Sequence, residues 1–524
     1  MKKLLCRLWA ATQHPRALPW IILGTGLWLG CLSWVRHLHL PDEGRYVGVA
    51  WDMSRADSFW VPLLNGLPYF HKPPLFYWLN ELSFMMFGVH EWSARMPSLL
   101  AAWASAIALY LFIRKHRSVA VATVTLAVLV TMPYFYGGAQ YANLDMLVAG
   151  MISLTVLAGA EAVLRSESGQ AWGWMSLSAA VFAALAILSK GLIGLVLPGG
   201  VLFFWLILTK RWRKFGVLLW PPAIAAFALV AVPWFWLMQQ KFPEFFNYYF
   251  VHQQFERFVG ESFNNPQPVL FYVPVVFGLT LPWSLGLLGL LNKSYWKSEA
   301  GSLSVLMLIW FAVIAVFFSI PASKLIGYAL PALPPLAVLI AEVLVGAMHG
   351  KRSEQVRRAV GGCFVGACIG CLIAIGAFRV TQKDSGFEMG QRIAAEMKPD
   401  DTMVFLLNFP FDLAFYVGAK QPAWVVENWP GLIKRDNWRN ELADAALFDP
   451  VVGAQTLVNI DAFIPRLCAT EDKVFWIRGD RDMPLYWDIL QNLPPFFVQG
   501  NGGTVWKLIT NQKFKNAFCQ VAVK

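Results

Sequence analysis

Apolar stretches of about 20 residues recur through the first 380 positions, each long enough to cross a hydrocarbon core of about 30 Å. Their placement predicts about eleven spans, near 18–36, 92–113, 118–138, 142–164, 172–189, 191–209, 215–238, 268–291, 302–320, 325–348 and 357–380. Lys190 is the only charge in 172–209. As one helix that stretch would run about 57 Å, too long for one crossing. A turn or re-entrant break is therefore expected at Ser189-Lys190-Gly191. Two further re-entrant or split helices would raise the count to thirteen.

The pattern changes beyond about residue 381, where polar and apolar positions mix. Strand-like runs cover 403–407, 423–427, 473–478 and 504–509, and a helical pattern over 390–397 precedes them. The expected fold class is a polytopic α-helical membrane protein with a C-terminal soluble α/β domain. The expected division is 1–380 for the transmembrane domain, with outer loops 37–91 and 239–267, and 381–524 for the α/β domain.

Composition agrees: 57% of the 524 residues are hydrophobic and 14% charged, against roughly 25% charged in soluble domains. The net charge of +11 could suggest nucleic acid. Its distribution excludes that partner, because many of the cations sit in short connections between spans. Lys2, Lys3, Arg7 and Arg16, then 114–117, Arg165, 210–214, Lys293 with Lys297, and 351–358 fall in alternate connections. The positive-inside rule makes these cytoplasmic and places the N-terminus there. The other connections, and the C-terminal domain, then face outward, into the periplasm of a Gram-negative cell. The first apolar span is long and has no convincing cleavage site, so a cleavable signal peptide is not expected.

Five of the seven cysteines lie in or beside spans, where Cys acts as a small hydrophobe. Cys468 and Cys519 are the two in the outer domain. An oxidising compartment would permit a disulfide, and the sequence leaves open whether they pair.

The chemistry gathers on the outward connections. Asp42 and Glu43 follow the first span, with Arg45 beside them; Tyr69-Phe70-His71-Lys72-Pro73-Pro74 comes about thirty residues later in the same long loop. Asp145, Lys190, His252, Arg257 and Lys324 come from other outward connections. A lone Lys or Arg at a span end ordinarily marks the headgroup boundary. Acids at the boundary are usually paired or functional, and Asp145 has no cation adjacent in sequence. Carboxylates beside several cations suit an anionic, lipid-linked phosphate: cations hold it, and a carboxylate takes a proton from the attacking group.

These segments resemble a known family, and the resemblance covers nearly the whole chain. It rests on Pro41-Asp42-Glu43-Gly44-Arg45-Tyr46, on 69–78, on Leu144-Asp145 and on Leu188-Ser189-Lys190-Gly191. It continues through His252-Gln253-Gln254-Phe255-Glu256-Arg257-Phe258, Leu281-Pro282-Trp283 and 324–331. The chain is similar to bacterial GT-C glycosyltransferases, the superfamily of the lipid A aminoarabinose transferases and the protein O-mannosyltransferases. The resemblance implies transfer of a sugar from undecaprenyl phosphate at the periplasmic face of the inner membrane, to lipid A, another glycan or protein. It implies Asp42 as base with Glu43 beside it, and Asp145 as the second essential acid. Arg45, Tyr69, Lys72 and Arg257 match groups around the donor phosphate, and Tyr328 matches an aromatic lining the same cavity. Lys190 and Lys324 join this set by their outward placement.

One position departs from the pattern. In aminoarabinose transferases the residue before the Lys-Pro-Pro lysine is typically glutamate, which pairs with the histidine matching His252 at a metal position; here it is His71. Two histidines could hold zinc only if Asp, Glu or water completed the set. No cofactor is required for activation, because phosphate is a good leaving group once its charge is bound. A lipid-linked sugar transporter is the rival class. Transporters carry ionisable groups near the bilayer midplane, whereas these span centres are nearly free of charge.

Overall fold

A computed structural model describes residues 14–256, 266–291, 302–349, 353–381, 385–432, 437–480, 490, 493–500 and 503–519. Arg257, part of the 239–267 loop, and the basic residues Lys2, Lys3, Arg7, Lys293, Lys297, Lys351 and Arg352 lie outside the described residues. The chain forms two compact units: Met1–Arg36, Lys72–Leu79 and Ser83–Arg379 make the first, and His37–His71, Asn80–Leu82 and Val380–Lys524 the second.

The first unit is helical. Six described helices are long and apolar enough to cross a membrane: Glu91–His116, Leu144–Glu167, Gly173–Lys190, Pro221–Lys241, Ile326–Met348 and Ser353–Thr381. Two bent pairs pass the same test together, Val119–Val130 with Pro133–Ala139 (69°) and Val269–Leu279 with Trp283–Leu291 (117°). Leu18–Gly30, Ile193–Leu208 and Leu303–Ser319 are shorter apolar helices. Each expected span has its counterpart among these. The bends fall at Pro133 and Leu281-Pro282, where proline cannot donate to the preceding turn. Large apolar side chains stay exposed on the outside, among them Trp20, Leu229, Leu291 and Val380, as lipid-facing surface requires. The interior is packed with Tyr110, Trp205, Trp310 and their neighbours.

Local chemistry sets the helix ends. Glu91–His116 begins at a reciprocal cap between His90 and Ser93 and ends on Arg114-Lys115-His116, where positive charge complements the helix dipole. The expected break at 189–191 is a turn. Gly191 ends the Gly173–Lys190 helix at φ +96°, and Ile193–Leu208 follows. A Cβ at Gly191 would meet Gln254 Oε1 at 2.6 Å and the Tyr249 hydroxyl at 2.7 Å, so only glycine fits. Arg95 is fully buried and donates to the carbonyls of Ser33 and Arg36 at 2.6 and 3.0 Å, satisfying the backbone just beyond the first span.

The second unit carries two sheets. A hairpin pairs β1 (Leu63–Leu64) with β2 (Leu67–Pro68). The larger sheet holds β3 (Thr402–Leu406), β4 (Trp424–Glu427), β5 (Leu457–Asn459), β6 (Val474–Asp480), β7 (Phe497–Val498) and β8 (Gly503–Ile509), in the order β5-β4-β3-β6-β8-β7. β5, β4, β3 and β6 run parallel, and β8 pairs antiparallel with both β6 and β7. Every residue of β3 is buried, as a central parallel strand covered on both faces must be. Val404, Val426, Ile477 and Trp506 form its core with Phe463, Leu467 and Phe514. Cys468 and Cys519 are disulfide-bonded, with Cα atoms 5.7 Å apart, tying the Phe463–Cys468 helix to the last described turn.

Residues 37–71, part of the 37–91 segment expected as an outer loop, carry secondary structure and belong to this second unit. Helix Asp42–Arg55 fills their first half. Its Gly48 lies so close to the Phe411 carbonyl that a Cβ would stand 2.8 Å from that oxygen. Asn65 exchanges two hydrogen bonds with the Ala423 backbone, of 2.9 and 2.8 Å, and so fixes the hairpin turn to the entrance of β4. Asp52 and Arg55 pair at 2.7 Å beneath it. The described part of 239–267 is likewise ordered, as a π-type helix over Asn247–Glu256.

Candidate functional site

Most of the expected site residues that the structure describes fall into two clusters, one in each unit.

In the second unit, Asp42 and Arg45 share the first turn of the Asp42–Arg55 helix. Acids are favourable there, where backbone N–H groups lack partners. Glu43 is fully buried, and its Oε2 accepts from the His39 backbone N–H at 2.9 Å. Asp42 leaves 44% of its side chain exposed, which makes it the accessible acid of the pair. Arg45 Nη2 donates to Asp42 Oδ1 at 2.7 Å, and Nη1 donates to Glu441 Oε1 at 2.5 Å. The guanidinium lies 5.1 Å from the Tyr46 ring and 5.9 Å from the Phe411 ring. Burial opposes its charge, but Glu441 and the neighbouring Tyr46, Tyr69 and Asp42 outweigh burial and hold Arg45 firmly protonated. Tyr69 is buried, donates its hydroxyl to Glu441 Oε2 at 3.2 Å and stacks on His71 with ring centroids 4.6 Å apart.

Glu441 had no signal in the sequence. It lies in the Trp438–Phe448 helix, 396 residues from Arg45. Asp412 is a second acid that sequence reading passed over. It is fully buried, and burial lifts its carboxyl to about 7 against the opposing pull of the Gly386 N–H and Arg478. Gly386 donates to Oδ2 at 2.8 Å, and Oδ1 has no partner among the described residues.

In the first unit, Asn143 caps the Leu144–Glu167 helix by accepting from the Asp145 N–H at 3.0 Å. Its Nδ2 donates back to Asp145 Oδ2 at 3.2 Å. Lys190, the last residue of its own helix, donates to Asp145 Oδ1. The two side chains are 14% and 12% exposed. Lys190 Nζ also sits 4.4 Å from the centre of the Tyr328 ring, which stacks on Phe318. The Gly327 backbone presses against the Asp145 carboxylate so closely that a Cβ there would overlap Oδ2. Asp145, Lys190 and Tyr328, drawn from three separate connections, are thus brought together.

Three other expected residues lie in the same unit. Lys324 is buried and donates to the carbonyls of Gln267 and Pro321 at 3.0 and 2.5 Å, which makes it a tie between connections. Lys72 is half-buried ahead of the prolines that open the Leu75–Phe87 helix. His252 is about half exposed and its Nδ1 bonds Glu256 at 2.7 Å within one helical turn.

No group of three or more His, Cys, Asp or Glu side chains that could hold a metal ion occurs among the described residues. His71 is stacked on Tyr69, and His252 shares a helical turn with Glu256.

A long helical unit and a small mixed α/β unit together define the class: this is a multi-pass membrane protein of GT-C fold. ArnT from Cupriavidus metallidurans bound to undecaprenyl phosphate superimposes with a TM-score of 0.77 at 22% identity, covering 94% of this chain and 98% of that one. The family model for dolichyl-phosphate-mannose-protein mannosyltransferase matches residues 41–249. The undecaprenyl phosphate-alpha-4-amino-4-deoxy-L-arabinose arabinosyl transferase of Enterobacter sp. (strain 638) is 31% identical over 340 residues, 64% of this chain and 60% of the relative. A similar enzyme of Pseudomonas fluorescens (strain Pf0-1) is 28% identical over 374 residues, 70% of this chain and 66% of the relative. The matched regions therefore span less than two thirds of these relatives. The chain is thus similar in sequence to the aminoarabinose transferases and, over 41–249, to the protein O-mannosyltransferases, and it shares the fold of ArnT.

Proposed function

We propose that this protein is a bacterial inner-membrane glycosyltransferase that moves a sugar from an undecaprenyl phosphate donor to lipid A, with aminoarabinose as the sugar. The observation that carries the reading is Asp42, an accessible carboxylate at a helix N-terminus, held at 2.7 Å by an arginine that is itself anchored on its far side. The curated relatives named above supply the substrate class.

The reaction is a single displacement. An acceptor oxygen attacks the anomeric carbon, its proton passes to Asp42, and the bond to the phosphate oxygen breaks. The leaving undecaprenyl phosphate carries the electron pair. Arg45, Lys72 and Arg257 offset its charge, and Tyr69 donates a hydrogen bond. Asp145 and Lys190 orient a reacting partner, with Tyr328 as an apolar wall. Glu43, bonded to the His39 backbone, holds the turn that presents Asp42. The N-terminus is cytoplasmic and the α/β unit periplasmic, as the alternating basic connections require. The disulfide supports that orientation, since such bonds persist in oxidising compartments.

A protein acceptor is the second reading, favoured by the mannosyltransferase family match over 41–249. Mass spectrometry of lipid A and of envelope glycoproteins from a deletion strain decides between them. Loss of a sugar from lipid A alone supports the first reading, loss from protein alone supports the second, and no change in either rejects both.

A further inference from the structure

Glu441 is a buried carboxylate, 3% exposed, that burial would penalise if it stood alone. Its two oxygens are divided: Oε1 accepts from Arg45 and Oε2 from Tyr69. Both partners are groups assigned above to the donor phosphate, and both lie in the same unit as Glu441. The guanidinium is therefore shared between two unlike acids. On one side stands Glu441, shielded from water; on the other stands Asp42, nearly half exposed.

That asymmetry decides which bond an incoming anion exchanges. A phosphate competing for the arginine displaces the solvated carboxylate more readily than the shielded one, because water competes for Asp42 and not for Glu441. We propose that Glu441 is a positioning residue that anchors Arg45 and Tyr69, so that donor phosphate takes over the guanidinium edge held by Asp42 and leaves that carboxylate free to accept the acceptor's proton. No sequence spacing points to this role, and it rests on the reading of Asp42 and Arg45 given above. Glu441 touches no substrate in this scheme; it acts through Arg45 and Tyr69.

The test is a double-mutant cycle on the full-length protein in detergent or nanodiscs, with undecaprenyl phosphate aminoarabinose as donor. Glu441→Ala raises the donor KM about tenfold, and Glu441→Gln, which keeps an acceptor but loses the charge, raises it about threefold. In an Arg45→Ala background neither change adds a further loss, because the group being positioned is gone. A purely structural role for Glu441 would add its loss to that of Arg45→Ala and would lower kcat through unfolded protein. If Glu441→Ala does not fold, the Glu441→Gln cycle decides alone. A donor KM unchanged or lowered in the variants that fold, or losses additive with Arg45→Ala, overturns the proposal. Full activity in Asp42→Asn instead overturns the underlying reading of the base. An inactive Asp42→Asn with an unmoved donor KM at Glu441 overturns only the role of Glu441.

Discussion

Lys190 closes on Asp145 across 45 residues of sequence, the end of one helix meeting the start of another. Each residue is placed where the helix dipole favours its charge: the acid in a first turn, the cation in a last turn. The ion pair therefore draws on two helix termini as well as on direct attraction.

Removing one member should cost more than removing both. Asp145→Ala leaves a mostly buried ammonium without its counter-ion, at a cost of about 2–3 kcal/mol. Asp145→Ala combined with Lys190→Met should recover part of that loss. Thermal unfolding of the two purified variants checks this, and a double variant less stable than Asp145→Ala would contradict it. Both should be inactive.

Asp42→Asn should fold as wild type, because the helix still begins at the same turn, and lose about a thousandfold in kcat. Transfer of label from an undecaprenyl phosphate sugar by purified protein measures it. Wild-type turnover would remove Asp42 from the chemistry.

The α/β unit should gain stability on mild acidification. Burial lifts the Asp412 carboxyl to about 7, above the ordinary value of about 3.9. The folded protein thus holds this proton more tightly than the unfolded chain does. Its contribution is fully present below about pH 4 and is lost as pH rises through about 7. The melting temperature of this unit should be about 2–6 °C higher at pH 5 than at pH 8. Asp412→Asn, neutral throughout, should flatten that difference; an equal slope in the variant would assign the effect elsewhere.

The disulfide between Cys468 and Cys519 closes a loop with a sequence separation of 51. Cys468→Ser with Cys519→Ser should lower the stability of the α/β unit by about 2–4 kcal/mol. Chemical denaturation followed by tryptophan fluorescence reads it, since Trp476 and Trp506 lie in that sheet. A shift no larger than that of Cys363→Ser would show the bond to be dispensable.

The spans were legible because each needs an unbroken apolar run, and even the Gly191 turn shows as a charge where none belongs. Strands β3, β4, β6 and β8 were legible as short apolar runs. β5 and β7, of three and two residues, are too short to leave a pattern. The Asp42–Arg55 helix was hidden because its short apolar stretch is flanked by charged residues and interrupted by glycine, so the segment reads as loop. Asp42, Arg45, Asp145 and Lys190 could be singled out one by one, but not the Asp145–Lys190 pairing. Glu441 and Asp412 could not be found at all, since their partners come from the far end of the chain or from backbone N–H groups.

Gly327 adds a warning for anyone mapping this protein by mutation. Its hydrogen is all that fits between the backbone and the Asp145 carboxylate. A side chain there would have to displace the carboxylate that Lys190 holds, so on the role proposed for Asp145 the variant should lose activity. A saturation scan scored on activity would therefore rank Gly327 among the catalytic groups, though it carries no functional atom. If Asp145 has the role proposed above, intolerance to substitution here measures distance to the chemistry, and a survey of tolerated residues would overcount the machinery unless glycines in contact with it were set aside.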